Sequence, residues 1–141
     1  MLVLRAWLLA GVLVAPVGCA TQSQDLERAR RHYQDLEFYK ALALLRVLTD
    51  DGAGLSEDER VQLAYLRGMT DARIADGLPP SDRARATYRA CSRDWLLFAL
   101  GRPNGERALT ADQLQRARAF LAASTDVDVA LGRCIPASLQ P

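Results

Sequence analysis

Cysteine is the residue type with the most chemical potential in this sequence, which contains three: Cys19, Cys91 and Cys134. A thiolate can act as a nucleophile, bind a metal or pair with a second thiol. No Cys-x-x-Cys pair occurs, so the spacing favours neither a zinc site nor a redox motif. Because Cys19 lies near the N-terminus, Cys91 and Cys134 remain as an even pair in the body of the chain.

In an oxidising compartment, Cys91 and Cys134 are expected to form a disulfide. The long loop closed in this way is worth roughly 4 kcal/mol on the chain-entropy model. The alternative is that Cys91 is a small buried hydrophobic residue and Cys134 a free thiol.

His32 is the only histidine in the chain. A catalytic interpretation pairs it with Asp35 on the same helical face as acid and base, but a lone histidine among arginines is more often a surface residue. The sequence contains no nucleophile elbow, no metalloprotease motif, no Gly-rich phosphate loop and no second histidine for a metal. We therefore predict a protein that is not an enzyme and that has no metal, cofactor or evident small-molecule substrate.

The segment before Cys19 has the layout of a signal peptide. Arg5 is the only charge ahead of an apolar run over residues 6–17, and small residues follow it. A membrane-spanning helix needs about 20 apolar residues, whereas polar residues begin here at Thr21 and Pro16 interrupts the run. We therefore expect a leader over residues 1–18 in preference to a membrane span.

The sequence Val17-Gly18-Cys19 after an apolar run resembles the lipobox of bacterial lipoproteins. The resemblance implies cleavage before Cys19, lipidation of its thiol and acylation of the new amino terminus. In this family, an Asp after the cysteine retains the protein in the inner membrane. Because Ala20 stands at that position here, the resemblance further implies that the protein lies on the periplasmic face of the outer membrane, with the inner membrane or periplasm as alternatives. Pro16 departs from the family, where Leu is usual. The rival cut is after Ala20, where a small-x-small pattern would release a soluble protein.

Composition predicts a folded helical domain and argues against nucleic acid as a partner. Half of the residues are apolar and a quarter are charged, as in globular proteins and unlike disordered ones. The formal net charge is +1, and it falls to zero once Arg5 leaves with the leader. Phosphate binding needs a basic excess, which this balance does not supply.

Apolar spacing predicts an all-α domain of about five helices over residues 25–135, after a polar tether at 19–24 and before a frayed tail at 136–141. The first two helices meet in a tight turn at residues 36–38, although one continuous helix is an alternative. The third helix runs from a capping box at Ser56 and Glu59 to about residue 76, with apolar residues on two of its sides, so that both sides are expected to be contacted. Ser81 is expected to cap the fourth helix, and a second capping box starts the fifth.

That second capping box pairs Thr110 with Gln113. The segment before it, residues 101–106, is rich in turn residues and is predicted to be a hinge. A short turn of helix is expected after Asp126, before Cys134.

The first two helices resemble a tetratricopeptide repeat. The resemblance rests on small residues at Ala29 and Ala41 and larger ones at Phe38, Leu45 and Leu48. The third and fourth helices match less closely, through residues Leu66, Gly68, Ala84, Tyr88 and Cys91. The two units are about 40 residues apart, where the family has 34. The resemblance covers residues 25–98 and implies two helix-turn-helix units capped by the fifth helix; an unrelated helical bundle is the alternative.

An apolar run on the fourth helix, residues 95–100, supplies two candidate partner-binding residues, Trp95 and Phe98. Six consecutive apolar residues cannot all point to one side of a helix. Either the fifth helix covers the far side, or part of the run lines a groove that is open to a partner.

A row of arginines at i, i+4 and i+8 on the same helix supplies three more candidates: Arg85, Arg89 and Arg93. Together they suit an acidic partner or lipid headgroups. The alternative is a solvated face that is neutralised by Asp82 and Asp94.

The sequence therefore predicts a membrane-anchored periplasmic helical-repeat lipoprotein that binds other proteins and helps to assemble an envelope complex. A pilotin, which escorts secretin subunits by holding an amphipathic helix in an apolar groove, is a specific version of this hypothesis. The alternative is a secreted soluble protein with a binding or inhibitory role, cleaved after Ala20.

Overall fold

The computed structural model describes residues 18–124 and 134–139. This part of the chain is helical and contains no β-strand, so the all-α prediction is confirmed. It has six α-helices where about five were predicted: α1 (Gly18–Gln34), α2 (Phe38–Asp50), α3 (Glu57–Gly77), α4 (Arg83–Gly101), α5 (Gly105–Ala108) and α6 (Ala111–Ala123). Residues 1–17 of the expected leader at 1–18, and the expected helical turn after Asp126, lie outside the described residues.

The sixth helix is the short α5, which forms where the sequence predicts only a hinge. The backbone amides of Arg107 and Ala108 both donate to the Asn104 carbonyl, and Gly105 donates to Arg102. Gly105 is buried against the carbonyl groups of Ala99 and Leu100, where a Cβ atom would not fit. Close contact with the end of α4 therefore favours a helical conformation for this segment. A turn-rich composition does not reveal such a contact.

The turn between α1 and α2 confirms two separate helices. Leu36 has a φ of 62°, the left-handed conformation that terminates many helices. The amides of Leu36 and Glu37 donate back to the carbonyls of Tyr33 and His32, which satisfies groups that the end of α1 would otherwise leave unpaired.

The helix starts follow the predicted caps with one correction. Ser56 with Glu59 and Thr110 with Gln113 both form complete capping boxes, as predicted. At α4, however, the N-cap is Asp82 and not Ser81, because the Asp82 carboxylate accepts from the Ala84 amide at 2.8 Å.

Helix α3 is the centre of the fold and contacts each of the other five α-helices. Its side towards α1 and α2 packs into one cluster of buried residues: Leu26, Ala29, Ala41, Leu45, Leu48, Leu55, Leu63 and Leu66. Its other side packs with α4 and α6 into a second: Val61, Ala64, Tyr65, Met69, Trp95, Leu96, Ala99, Leu109, Ala117 and Ile135. The prediction that both sides of this helix are contacted is therefore confirmed.

Gly68 allows α3 and α4 to approach closely. A Cβ atom at Gly68 would lie 2.8 Å from Leu96 Cγ and 3.0 Å from the Ser92 carbonyl oxygen. We expect Gly68→Ala to lower the free energy of unfolding by about 1–3 kcal/mol, as overpacked cores do. Urea unfolding monitored by circular dichroism measures this loss.

Gly77→Ala is the matched control, because no atom lies within 4 Å of the position that its Cβ would occupy. Its unfolding midpoint should stay close to that of the wild type. Equal stability of the two variants would contradict a close contact between α3 and α4 at Gly68.

The two ends of the domain are more ordered than the sequence suggests. Helix α1 includes every described residue from Gly18 to Gln34, so the segment predicted as a tether at 19–24 is helical. The Gln22 side chain donates to the Asp51 carbonyl at 2.8 Å and accepts from the Gly54 amide at 3.0 Å. In the predicted tail, residues 137–139 form a 3-10 turn and Leu139 packs against the second cluster.

Candidate functional site

Of the two candidate partner-binding residues, Trp95 lies in the interior of the domain and Phe98 is half-buried against the second cluster. Trp95 is 1% exposed, and Phe98 meets its ring edge-on with the centroids 6.1 Å apart. Leu96 and Ala99 are fully buried, whereas Leu97 points outward. Helices α3 and α6 thus cover most of the apolar run, which is core and not an open groove.

The predicted arginine row is engaged within the domain. Arg85 donates to the Leu78 carbonyl at 3.4 Å, Arg89 pairs with Asp76 at 3.2 Å, and Arg93 donates to the Ser124 carbonyl at 3.4 Å. These contacts tie α4 to the end of α3 and to the end of α6. The row therefore joins helices to one another and does not form a continuous basic surface.

The catalytic interpretation requires His32 to pair with Asp35. In the structure, His32 pairs with Glu37 instead. Its Nδ1 lies 2.5 Å from Glu37 Oε2 across the α1–α2 turn. Hydrogen bonds from Lys40 and then from His32 hold the pKa of the Glu37 carboxyl below its usual value. These contacts explain His32 as a residue that stabilises the turn.

Cys91 and Cys134 form a disulfide with an Sγ–Sγ distance of 2.01 Å. The bond fastens the C-terminal segment to α4 and holds Ile135 in the second cluster. Cys19 lies in the first turn of α1, three residues before the docked Gln22.

A first cleft lies between α1, α3 and α6 and has a volume of about 160 Å³. Its lining mixes two arginines, three amides, two tyrosines and a leucine: Arg30, Arg116, Gln34, Gln62, Gln113, Tyr33, Tyr65 and Leu66. Burial raises the pKa of Tyr65 to about 12, so its hydroxyl stays protonated and neutral. The cleft can therefore offer both hydrogen-bond donors and aromatic surface.

Gln62 fixes the three walls of this cleft relative to one another. Its side-chain amide donates to the Ala108 carbonyl at 2.5 Å, and the Gln62 and Gln113 amides exchange hydrogen bonds of 3.1 and 3.2 Å. Arg30 reaches the Gln62 oxygen at 3.3 Å. Such bonds order the cleft before any ligand arrives.

The second cleft lies between α2, α3 and α4 and contains a buried carboxylate. Asp71 is fully buried, and its Oδ2 atom accepts from Arg67 Nε at 3.3 Å. Oδ1 has no hydrogen-bond partner within the described part of the chain. The Arg67 guanidinium also lies over the Trp95 ring, 5.6 Å from its centroid.

Burial of this ion pair disfavours both charges. It raises the pKa of Asp71 to about 6, against the opposing effect of Arg67, and it lowers the pKa of Arg67. Because the carboxyl pKa is higher in the folded protein than in the unfolded chain, the folded protein takes up a proton first as the pH falls. Ionised Asp71 thus destabilises the fold above pH 6, and the penalty disappears between about pH 6 and pH 4.

The raised pKa of Asp71 gives a prediction for the variant Asp71→Asn. Relative to this variant, we expect the free energy of unfolding of the wild type to rise by about 1 kcal/mol from pH 7 to pH 5. Urea unfolding at the two pH values measures the difference. Asp76→Asn, which removes an exposed carboxylate from the same helix, should follow the wild type. Identical pH dependence of the wild type and Asp71→Asn would contradict the assignment.

The third cleft lies at the junction of α3 with the α4–α5 segment and is larger, about 570 Å³. Three of its four charged side chains already have a polar partner within the lining. Arg102 donates to both Glu57 oxygens at 2.6 Å, which holds the pKa of Glu57 below its usual value. Asn104 likewise donates to Asp58. This cleft therefore offers fewer unsatisfied groups to a ligand than the second one does.

The sequence pattern identified neither Asp71 nor Arg67 as a site residue. One signal is present in the sequence, because a helix that is contacted on two sides tends to bury a charge in its middle. The burial of both side chains beside Trp95 depends on how α3 and α4 pack together, which the sequence does not provide.

Within residues 18–124 and 134–139, no three His, Cys, Asp or Glu side chains are grouped to hold a metal. In the same residues, no helix combines the length and the apolar character needed to cross a bilayer. Comparisons with protein-family models, curated proteins and solved structures found no match.

Proposed function

We propose that this protein is a lipoprotein anchored through Cys19 to the periplasmic face of the bacterial outer membrane. In this proposal its helical domain binds another protein and helps to assemble an envelope complex, as a pilotin does. The proposal rests on the lipobox-like Val17-Gly18-Cys19 and is consistent with a disulfide, which persists in oxidising compartments.

The repeat-like part of the proposal is that α1–α2 and α3–α4 are two tetratricopeptide-like units and that α6 caps them. Small residues at the close approaches support it. Ala29 and Ala41 are fully buried in the first cluster, and Gly68 faces Leu96 across the α3–α4 contact. Such units present an extended concave surface to a ligand, which here would include α1 and α3, followed by α6.

The observation that carries the binding proposal is the cleft between α1, α3 and α6. Amides and tyrosines suit hydrogen bonding to an extended or turn-forming peptide. Arg30 and Arg116 pair with the exposed carboxylates of Glu27 and Asp112, and because such surface pairs are weak, both arginines favour a peptide with acidic groups. This surface takes the place of an apolar groove near Trp95, which the sequence analysis gives as one of two alternatives. A purely apolar helix is therefore not the partner segment that the cleft fits best.

The docked N-terminus supports a fixed orientation at the membrane. Gln22 and Ser23 bond the α2–α3 loop and Glu59, and only two residues separate Gln22 from Cys19. An anchored domain would thus lie close to the bilayer with the N-terminal end of α1 facing it. The same contacts would survive a cut after Ala20, so the secreted soluble protein remains the second candidate.

Affinity purification of the full-length protein from detergent-solubilised membranes tests the proposal. We expect the wild type to recover an envelope protein multimer, and the double variant Arg30→Glu/Arg116→Glu to recover about thirtyfold less, since each reversed charge costs on the order of 1 kcal/mol. Arg118→Glu is the matched control, because Arg118 lies on α6 outside the cleft lining and pairs with Glu106.

The control should recover as much multimer as the wild type. Recovery of no multimer by the wild type, or of equal amounts by the wild type and the double variant, would reject binding through this cleft.

A further inference from the structure

The cleft between α2, α3 and α4 is separate from the peptide cleft and has the features of a small-anion site. Its volume is about 260 Å³, and its lining is Arg46, Arg67, Asp71, Ala84, Thr87, Tyr88 and Cys91. Three helices and the disulfide thus surround it. A space of this size suits a ligand of a few non-hydrogen atoms.

Arg67 is held with one edge of its guanidinium occupied and the other unoccupied. Nε donates to Asp71 at 3.3 Å, and the group lies over the Trp95 ring. The two terminal nitrogens have no hydrogen-bond acceptor among residues 18–124 and 134–139. A guanidinium edge with two parallel N–H groups matches the two oxygens of a carboxylate.

Arg46 brings a second positive charge to the same cleft from α2. It is exposed, has no ion-pair partner within the described residues, and contributes by charge repulsion to the lowered pKa of Arg67. Asp71 is the single acidic group in the lining. The cleft therefore has an excess of positive charge that a bound anion would compensate.

Apolar surface lies beside this charge. Ala84, the Tyr88 ring and the disulfide form the α4 wall of the cleft. A ligand that satisfies both parts of the lining has an anionic head for the arginines and a short hydrocarbon stem for this wall.

We propose that this cleft binds a small organic carboxylate, with its two oxygens on the terminal nitrogens of Arg67, its charge near Arg46 and its stem against Tyr88. Inorganic phosphate has the charge of this ligand but neither its planar head nor its hydrocarbon stem. The site goes beyond the proposed protein binding, because it would accept a free small molecule.

Titration of the isotope-labelled protein with n-butyrate, followed by amide chemical shifts, tests the site. Saturable shifts are expected at residues of α2, α3 and α4 that line the cleft. Butyramide, which has the same stem without the charge, should bind about tenfold more weakly, since a charge-assisted pair is worth on the order of 1.4 kcal/mol or more. Phosphate should not saturate the same shifts at the concentrations where butyrate does.

Arg46→Ala is the primary variant, because Arg46 is exposed and its loss should leave the fold intact. We expect it to weaken butyrate binding by about three- to tenfold, as the loss of one nearby charge does. Arg67→Gln should abolish binding. Arg89→Ala removes the same charge from α4 outside the lining and should bind butyrate as the wild type does.

The proposal is overturned if butyrate and butyramide bind equally, if phosphate saturates the same shifts as readily, or if Arg46→Ala and Arg89→Ala have the same affinity for butyrate. A wild-type affinity in the folded Arg67→Gln variant would also overturn it.

Discussion

Replacing Trp95 with Ala is expected to lower the free energy of unfolding by about 3–5 kcal/mol, the range found when a fully buried aromatic residue is truncated. Trp95 is 1% exposed and packs with Phe98, Leu96 and the Arg67 guanidinium. Its removal leaves a cavity in the second cluster, between α3, α4 and α6. Because a domain of this size is stable by only about 5–15 kcal/mol, the loss is a large share of the total.

Leu97→Ala is the matched control for this prediction. Leu97 is 41% exposed on the same helix, so its truncation should cost well under half as much as that of Trp95. Chemical unfolding of the wild type, Trp95→Ala and Leu97→Ala measures the two losses of stability. If Trp95 were instead a surface residue for a partner, Trp95→Ala would leave stability unchanged and reduce partner binding alone, and that result would contradict the buried position.

Loss of the Cys91–Cys134 disulfide has the second largest expected effect. The bond joins residues 43 positions apart, for which the chain-entropy model gives about 4 kcal/mol, and measured losses are typically about 2–4 kcal/mol. The double variant Cys91→Ala/Cys134→Ala should lose that much in urea unfolding. It should also release the C-terminal segment, which holds Ile135 in the core.

Dithiothreitol supplies the control. It should lower the midpoint of the wild type towards that of the double variant and leave the double variant unchanged. An equal effect on both proteins, or none on the wild type, would show that this bond does not contribute to stability.

The parts of the fold that depend on local sequence were predictable. The capping boxes at Ser56 and Thr110 were found because a cap depends on residues three positions apart. The helical spacing of apolar residues likewise predicted the class and the two-sided burial of α3. Helix α5 was missed because its conformation depends on Gly105 packing against the end of α4, a contact between segments.

The candidate sites depend on contacts between distant segments and were less predictable. The sequence places Trp95 on an apolar stripe, but it does not say whether α6 or a partner covers that stripe. The same limit applies to Arg85, Arg89 and Arg93, whose partners lie on other elements. Arg67 and Asp71 are four residues apart and predictable as a pair, but their burial beside Trp95 is a property of the packed bundle.

The mass of the mature N-terminal peptide, measured on protein isolated from the native cell envelope, tests the proposed anchor most directly. The lipoprotein proposal predicts a peptide that begins at Cys19 and carries a diacylglyceryl group with an acylated amino terminus. An unmodified peptide that begins at Thr21 would contradict it, because cleavage after Ala20 removes the only residue through which the domain is proposed to be anchored.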